Sequence, residues 1–503
     1  MKDRIPIVKS AFIITIIGAV SRVLGFIREA VIADLFGVEA ITDAYAIAIR
    51  SVGMISLIVH VYLTTIFVPT YAKVRESKGE KIALWATNNA LGISLLINIF
   101  LMMLTWLLAP TLMGFTEIDQ GLTIISLNII IFQLPLLAFS QLFVGYLTAR
   151  KSFIGPNATG LPSNIIFIIV IIIAGTAGGI VWLSAAAVLS LFAQVIMLYI
   201  WSIREKYRYK FVLRPTDPEI KSDMRLLFPA VIGGGLTSIK VWISTVAAAN
   251  LGEGMSAVIN FSTRLLGFVT SMVILPFVGI AYSLISGHAA KNDNEKMLAT
   301  LLTAIRVLLF IIIPIILISI PRGFDLVQIA YERGEFDEYA TIITGEAFIW
   351  LLPGLLGVAA SYLLARFFYA LKDTKTPMYS SIAIIIIHTG LSLWLSQILG
   401  IIGLALAMSI SSILAACFLI ALLRRKLGPL GLKKTVVNIL KIIISAIPCA
   451  IVSFIVGQML MDTGAIIRFC VSASAGLFVY LLFAFILKET VIQEAIALVR
   501  KKI

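Results

Sequence analysis

Charge is scarce in this chain. Only 13% of its 503 residues are Asp, Glu, Lys or Arg, while 60% are hydrophobic. Soluble domains have about a quarter charged and about half apolar residues, so an ordinary soluble fold is excluded. Cysteine is scarcer still. Cys417, Cys449 and Cys470 all fall in apolar segments. An odd number without metal-ligand spacing gives neither a disulfide framework nor a metal site, and they are expected to act as packing residues. The three histidines, His60, His288 and His388, are scattered, with no HExxH. No GxSxG or Walker sequence occurs either. The chain is therefore expected not to be an enzyme and to need no cofactor or metal. Gly233-Gly234-Gly235 has no strand before it and no Lys-Ser/Thr after it. It reads as a hinge or a close-packing point rather than a phosphate loop.

What the chain does have is long apolar runs. A spanning helix needs about 20 apolar residues, whereas a barrel strand would show about ten alternating ones. Windows of that length place fourteen spans near 10–36, 43–72, 83–113, 121–149, 157–177, 180–203, 226–250, 255–288, 299–320, 341–371, 378–399, 401–423, 437–460 and 466–487. The pattern predicts an all-α polytopic membrane protein. No cleavable signal peptide is expected: Met1-Lys-Asp-Arg suits an n-region, but no A-x-A-like site comes after it.

The connections alternate in charge. Lys and Arg cluster before span one and after spans two, four, six, eight, ten, twelve and fourteen. Acids such as Glu39, Glu117, Asp119, Glu253, Asp337 and Asp462 hold the other side. By the positive-inside rule both termini are cytoplasmic. Most of the net charge of +14 is then a topology signal facing anionic headgroups, and no nucleic-acid partner is expected. The basic stretch 204–225, with Arg214-Pro215-Thr216-Asp217-Pro218 inside it, separates six spans (1–203) from six more (226–425), and two further spans and a tail complete the chain (426–503). Two bundles joined by a linker suit a transporter.

Cations inside the spans are the clearest functional signal. Arg22 and Arg28 fall in span one, Arg50 in span two, Lys240 in span seven and Arg264 in span eight. A guanidinium at membrane depth costs from a few to more than ten kcal/mol, so such residues line wet cavities or pair internally. No acid lies within one helical turn of Arg22 or Arg264, whereas Glu29, Asp34 and Asp43 are placed to neutralise Arg28 or Arg50. Arg366, near the end of its span, is expected to snorkel. Guanidinium matches phosphate bidentately and keeps its charge, so an anionic, diphosphate-bearing cargo fits best. A cation-coupled drug exporter would instead need an acid-lined cavity. A non-transporting scaffold would tolerate loss of the arginines.

These residues also carry a resemblance. Ser21-Arg22-Val23-Leu24-Gly25-Phe26-Ile27-Arg28-Glu29, Phe36-Gly37, Thr42-Asp43-Ala44-Tyr45 and Phe67-Val68-Pro69 resemble the MurJ/MviN lipid II flippases of the multidrug/oligosaccharidyl-lipid/polysaccharide exporter superfamily. So do Tyr331-Glu332-Arg333-Gly334-Glu335-Phe336-Asp337 and the run from Phe368 through Pro377. The likeness covers about residues 10–430. It implies 14 helices, as two six-helix lobes around a central cationic cavity plus two C-terminal helices forming a groove for a polyprenyl tail. The implied cargo is lipid II, an undecaprenyl-diphosphate-linked peptidoglycan precursor, carried across the bacterial cytoplasmic membrane by alternating access, in cell-wall biogenesis. Arg22, Arg28 and Arg264 match the family's cavity arginines and Asp43 a functional acid; Arg50 and Lys240 are further cavity or gating candidates. A monomer is expected. The sequence departs from the pattern at Ser56–Leu63, where a cavity arginine and a glutamate are missing, and at Thr263, which replaces an acid before Arg264. Span eleven has no carboxylate and span seven carries Lys240, which is expected to take the place of a bound cation and removes the basis for sodium coupling. Another undecaprenyl-diphosphate saccharide, an exopolysaccharide or teichuronic-type unit, is the alternative cargo.

Overall fold

The computed structural model describes residues 4–113, 119–217, 223, 227, 238–291 and 293–494. The glycine run 233–235 lies outside them. Two compact units divide the chain, Met1–Ala257 and Val258–Ile503.

The first unit opens with α1 (Arg4–Phe36), α2 (Ala40–Ile55), α3 (Leu57–Val61), a π-helical turn at Tyr62–Ile66, and α4 (Phe67–Lys78). Next come α5 (Glu80–Met113), α6 (Gln120–Ile130), α7 (Gln133–Ala149), α8 (Ile154–Asn157), α9 (Gly160–Ala174) and α10 (Gly179–Arg204), then α11 (Ser238–Ala249). From the end of the first unit onward the helices are α12 (Met255–Val269), a second π turn at Thr270–Ile274, α13 (Leu275–Ala289), α14 (Asn294–Ser319), α15 (Gly323–Tyr331), α16 (Glu338–Leu351), α17 (Gly354–Ala370), α18 (Lys375–Leu427), α19 (Leu432–Met459) and α20 (Ala465–Ile486). The only β-pairing among the described residues is an isolated bridge between Arg333 and Phe336.

Among the described residues, eight helical stretches are long and apolar enough to cross a membrane, or ten when the bent pairs α6–α7 and α16–α17 each count as one span. The expected fourteen is larger than this number, and about half of the seventh expected span, near 226–250, lies outside the described residues. α1 and the Ala40–Lys78 run, which cover the first two expected spans, are not among the ten. α18 covers two expected spans in 53 residues. At about 1.5 Å per residue it would be about 80 Å long if straight, far beyond the roughly 30 Å hydrocarbon layer. It reverses at Gly400, whose φ of 57° and ψ of −134° are open to glycine and closed to most other residues.

Large apolar side chains are widely exposed, Ile173, Met459 and Trp106 among them. In a chain of this composition such a surface meets lipid tails, and the backbone polar groups are satisfied within helices. Cys449 is packed among Ile313, Ile442, Ala446 and Tyr480 in the second unit; Cys417 and Cys470 lie on exposed faces.

Local signals at helix ends explain several charges. Asp119, Asp293 and Asp337 are N-caps, accepting from the backbone N–H of Leu122 (3.1 Å), Lys296 (3.0 Å) and Ala340 (2.8 Å). Four helices end alike. After α7, α10, α17 and α20 a lysine takes the left-handed conformation: Lys151, Lys206, Lys372 and Lys488, with φ of 63°, 67°, 58° and 49°. Each donates its N–H to the carbonyl three residues back, and the next residue donates to the carbonyl five back, as in Lys372 to Tyr369 (3.0 Å) and Asp373 to Phe368 (2.9 Å). This is the Schellman closure, in which glycine is the usual choice.

Candidate functional site

Within the first unit α1 lies along α9. Asn164 donates its side-chain N–H to the Ser21 carbonyl at 3.1 Å. This contact fixes the face that carries Ser21 and leaves Arg22 exposed, with no hydrogen bond or ion pair to it among the described residues. Arg28, two turns later, is different. Its Nη2 lies 2.7 Å from Glu29 Oε1, in a pair whose side chains are 21% and 5% exposed. Its guanidinium also stands 5.2 Å over the Phe167 ring, while its Nε has no hydrogen-bond partner among the described residues. Arg28 is therefore charge-compensated and stacked, and Arg22 is an exposed cation of α1.

Asp43 does not serve as a counter-ion to either arginine. It is fully buried, and its two oxygens accept from the backbone N–H of Gly254 (2.6 Å) and Ala257 (2.7 Å). These are orphan donors at the start of α12, so a side chain on α2 supplies the cap that α12 lacks locally. The exchange is mutual: Glu253 Oε1 accepts from Ala40 N–H at the start of α2, at 3.2 Å. Sequence reasoning singles out Asp43 and sees Glu253 only as an outer-loop acid. Nothing in the local pattern links positions more than 200 residues apart.

Arg50 and Lys240 are both part-buried. Their neighbours meet: Trp242 Nε1 donates to Ser51 Oγ at 3.1 Å, so α2 and α11 are joined one residue from Arg50 and two from Lys240. Arg264 belongs to the second unit and is exposed on α12. The turn before it is fixed by Ser262, whose hydroxyl donates to Thr344 O at 3.1 Å, and by Phe261, whose ring lies 5.0 Å from Tyr331 and 5.5 Å from Phe336.

Those aromatic contacts explain the Tyr331–Asp337 motif. Tyr331 and Phe336 are buried against Phe261, Arg333 donates to the Ala330 carbonyl (2.6 Å) at the end of α15, and Asp337 caps α16. The Phe368–Pro377 motif is likewise a turn. The Asp373 carboxylate accepts from Thr376 N–H (3.0 Å) and its hydroxyl (2.8 Å) and from Lys426. Burial opposes ionisation of Asp373, but the Lys426 ammonium and the Thr376 donors outweigh it and hold the carboxyl at about 2.

One charged cluster has no counterpart among the sequence expectations. Asp325 accepts from Arg322 Nη1 (3.1 Å) and Arg468 Nε (2.7 Å), tying α15 to α20 in the second unit. Its partners lie three and 143 residues away, and only the nearer is visible as a helical spacing. Among the described residues no group of three or more His, Cys, Asp or Glu is arranged to hold a metal ion.

Apolar helices long enough to span a bilayer define a polytopic membrane protein of transporter type, with Arg22 and Arg28 on α1 and Arg264 on α12. Solved structures agree on the fold. One titled "Lipid II flippase MurJ, inward closed conformation" superposes with a TM-score of 0.79 at 22% identity, covering 96% of this chain and 100% of that one. An inward-facing multidrug resistance MATE family transporter of the MOP superfamily gives 0.71 at 15% identity, covering 84% and 99%. The family model described as "Lipid II flippase MurJ" matches residues 32–472, and the chain belongs to that family. Among its relatives are the probable lipid II flippases MurJ of Rickettsia prowazekii, 26% identical over 80% of this chain and 81% of that one, and Treponema pallidum, 23% identical over 84% and 83%. The lipid II flippase MurJ of Burkholderia cenocepacia is 23% identical over 81% of each chain.

Proposed function

We propose that this chain is a lipid II flippase of the bacterial cytoplasmic membrane, with both termini cytoplasmic. It is not a catalyst: it moves the undecaprenyl-diphosphate-linked precursor from the inner to the outer leaflet by alternating access and works as a monomer. The family match over residues 32–472 carries this reading. It is supported by Arg22, an exposed guanidinium in an apolar helix with no partner among the described residues. In this mechanism Arg22, Arg28 and Arg264 hold the diphosphate. Arginine keeps its charge at any physiological pH, and its fork fits two phosphate oxygens at once. The Glu29 pairing tempers Arg28, which positions the headgroup with Arg264, while Arg22 supplies net charge. Binding biases the inward-open and outward-open populations through its differential affinity for the two. The Asp43–α12 cap, with Arg50 and Lys240 nearby in α2 and α11, is the part that must open or hold during that exchange.

The test is complementation of a strain depleted of its own lipid II flippase, together with native mass spectrometry of the purified chain. Rescue and a co-purifying lipid II mass are expected. Failure to rescue, with a different undecaprenyl-diphosphate saccharide retained, transfers the assignment to that cargo.

A further inference from the structure

The segment that leaves α10 is laid against α5 as an ordered strap. It departs from the helix through the left-handed Lys206. Tyr207 OH donates to Asn88 Oδ1 (2.8 Å), and Asn88 Nδ2 donates to Arg208 O (3.0 Å). The strap then reaches Gly92, where a Cβ would stand 2.2 Å from Val212 O. It returns to Asn89, which accepts from Arg214 N–H (2.7 Å) and donates to Arg214 O (3.0 Å). The path along α5 thus runs from 88 to 92 and back to 89, a dip of about 6 Å at 1.5 Å per residue.

The depth of that dip can be placed. α5 has 34 residues, about 51 Å, against a hydrocarbon layer of roughly 30 Å. Ile82 apart, its exposed large apolar side chains begin at Leu96 and run through Phe100, Met103, Trp106 and Leu107. The lipid-facing part therefore starts just beyond Gly92, and the strap turns at the edge of the hydrocarbon. At this tip Phe211 is 70% exposed, with Tyr209 and Leu213 exposed on either side. Lys206, Arg208, Lys210 and Arg214 are exposed too. The one acid between Arg204 and Arg214, Glu205, is paired with Arg150 (3.5 Å).

We infer that this strap is a preformed contact for anionic glycerophospholipids of the inner leaflet. Phe211 enters the interfacial zone, where aromatic rings are favoured. The four flanking cations meet lipid phosphates, an attraction that falls off within a Debye length. Because Asn88 and Asn89 grip backbone atoms, the strap is ordered before lipid arrives and loses little freedom on binding. The inference rests on the inner-side orientation of the proposed function and not on its cargo.

The test uses the full chain with Cys417, Cys449 and Cys470 replaced by alanine and a single environment-sensitive fluorophore on F211C. It is reconstituted in phosphatidylcholine bilayers with and without phosphatidylglycerol. Quenching by a lipid carrying a shallow acyl nitroxide is expected to exceed quenching by aqueous iodide, and to rise at least about twofold when phosphatidylglycerol is present. The K206Q/R208Q/K210Q/R214Q variant, which keeps every backbone contact to Asn88 and Asn89, is expected to lose the phosphatidylglycerol dependence. Iodide quenching that dominates in both bilayers overturns the inference and leaves the face to an acidic protein partner. A phosphatidylglycerol response unchanged in the quadruple variant also overturns it. Because the readout is probe depth, failure here is distinguishable from failure to transport lipid II.

Discussion

Asn89 holds Arg214 by both of its backbone polar groups, accepting from the N–H at 2.7 Å and donating to the carbonyl at 3.0 Å. The amide does both at once through two separate atoms, Oδ1 and Nδ2. Asn89→Asp keeps the acceptor and loses the donor, and Asn89→Leu loses both and orphans part-buried backbone groups, at about 1–3 kcal/mol each. Limited trypsin cleavage after Arg208 and Lys210 is expected to speed up in the order wild type, Asp, Leu. Equal rates in all three would show that the strap is held by something else.

Asp43 satisfies two N–H groups at the head of α12. Asp43→Ala leaves both unpaired in a buried site, at about 2–6 kcal/mol in total. Asp43→Asn keeps one acceptor but turns an amide N–H₂ toward a backbone donor. Melting in detergent is expected to fall in the order wild type, Asn, Ala, with complementation falling alongside.

Arg22 and Arg28 separate function from stability. Arg22→Ala removes an exposed cation with no partner among the described residues and is expected to abolish complementation with an unchanged melting temperature. Arg28→Ala removes the guanidinium paired with Glu29, whose side chain is 5% exposed, and is expected to lower the melting temperature, since breaking one partner out of a buried pair is destabilising. Adding Glu29→Gln is expected to restore the melting temperature and leave transport lost. A double variant that transports normally would remove Arg28 from the cargo site.

Asp373 gives the pH dependence a definite sign. Its carboxyl is held at about 2, below the value of about 3.9 in an unfolded chain. The unfolded chain binds the proton first. The stabilisation is full above about pH 4 and is lost as pH falls toward about 2. Asp373→Asn is expected to melt lower at neutral pH and to flatten this acid limb, as monitored by thermal unfolding in detergent at a series of pH values.

The left-handed lysines allow a backbone test. A residue with a Cβ in this conformation costs roughly 1–2 kcal/mol, partly offset by glycine's own entropy loss. Lys151→Gly and Lys372→Gly are each expected to raise stability by about 0.5–1 kcal/mol, and Lys372→Val to lower it. A glycine variant that melts lower would show that the lysine side chain outweighs the strain.

The all-helical membrane architecture is legible in the sequence because apolar run length is a local property. The break expected between 399 and 401 coincides with Gly400, since a reversal without a loop needs a residue free of a Cβ. The two motifs that carry the family resemblance are legible as strings, but their physical content emerges only in three dimensions. Tyr331 and Phe336 grip Phe261, and Asp373 gathers Thr376 and Lys426. The Arg28–Glu29 pair is readable because the residues are neighbours. The Asp43–Gly254 cap, the Asp325–Arg468 pair and the Asn89–Arg214 clamp are not, because each joins side chains or backbone more than 120 residues apart. The π turns at Tyr62–Ile66 and Thr270–Ile274 also leave no compositional trace.

The first unit carries Lys151 and Lys206, and the second Lys372 and Lys488. Each ammonium hangs from a closed turn, so only its own four-carbon stem, and not the backbone as on a loose loop, can follow a moving waterline. Under the proposed topology these turns lie at the cytoplasmic headgroup level, and in a thicker or thinner bilayer vertical slippage of either unit would drag two such anchors off it. Helices in that position meet the mismatch by leaning instead, so membrane thickness becomes a mechanical input to how each unit is inclined.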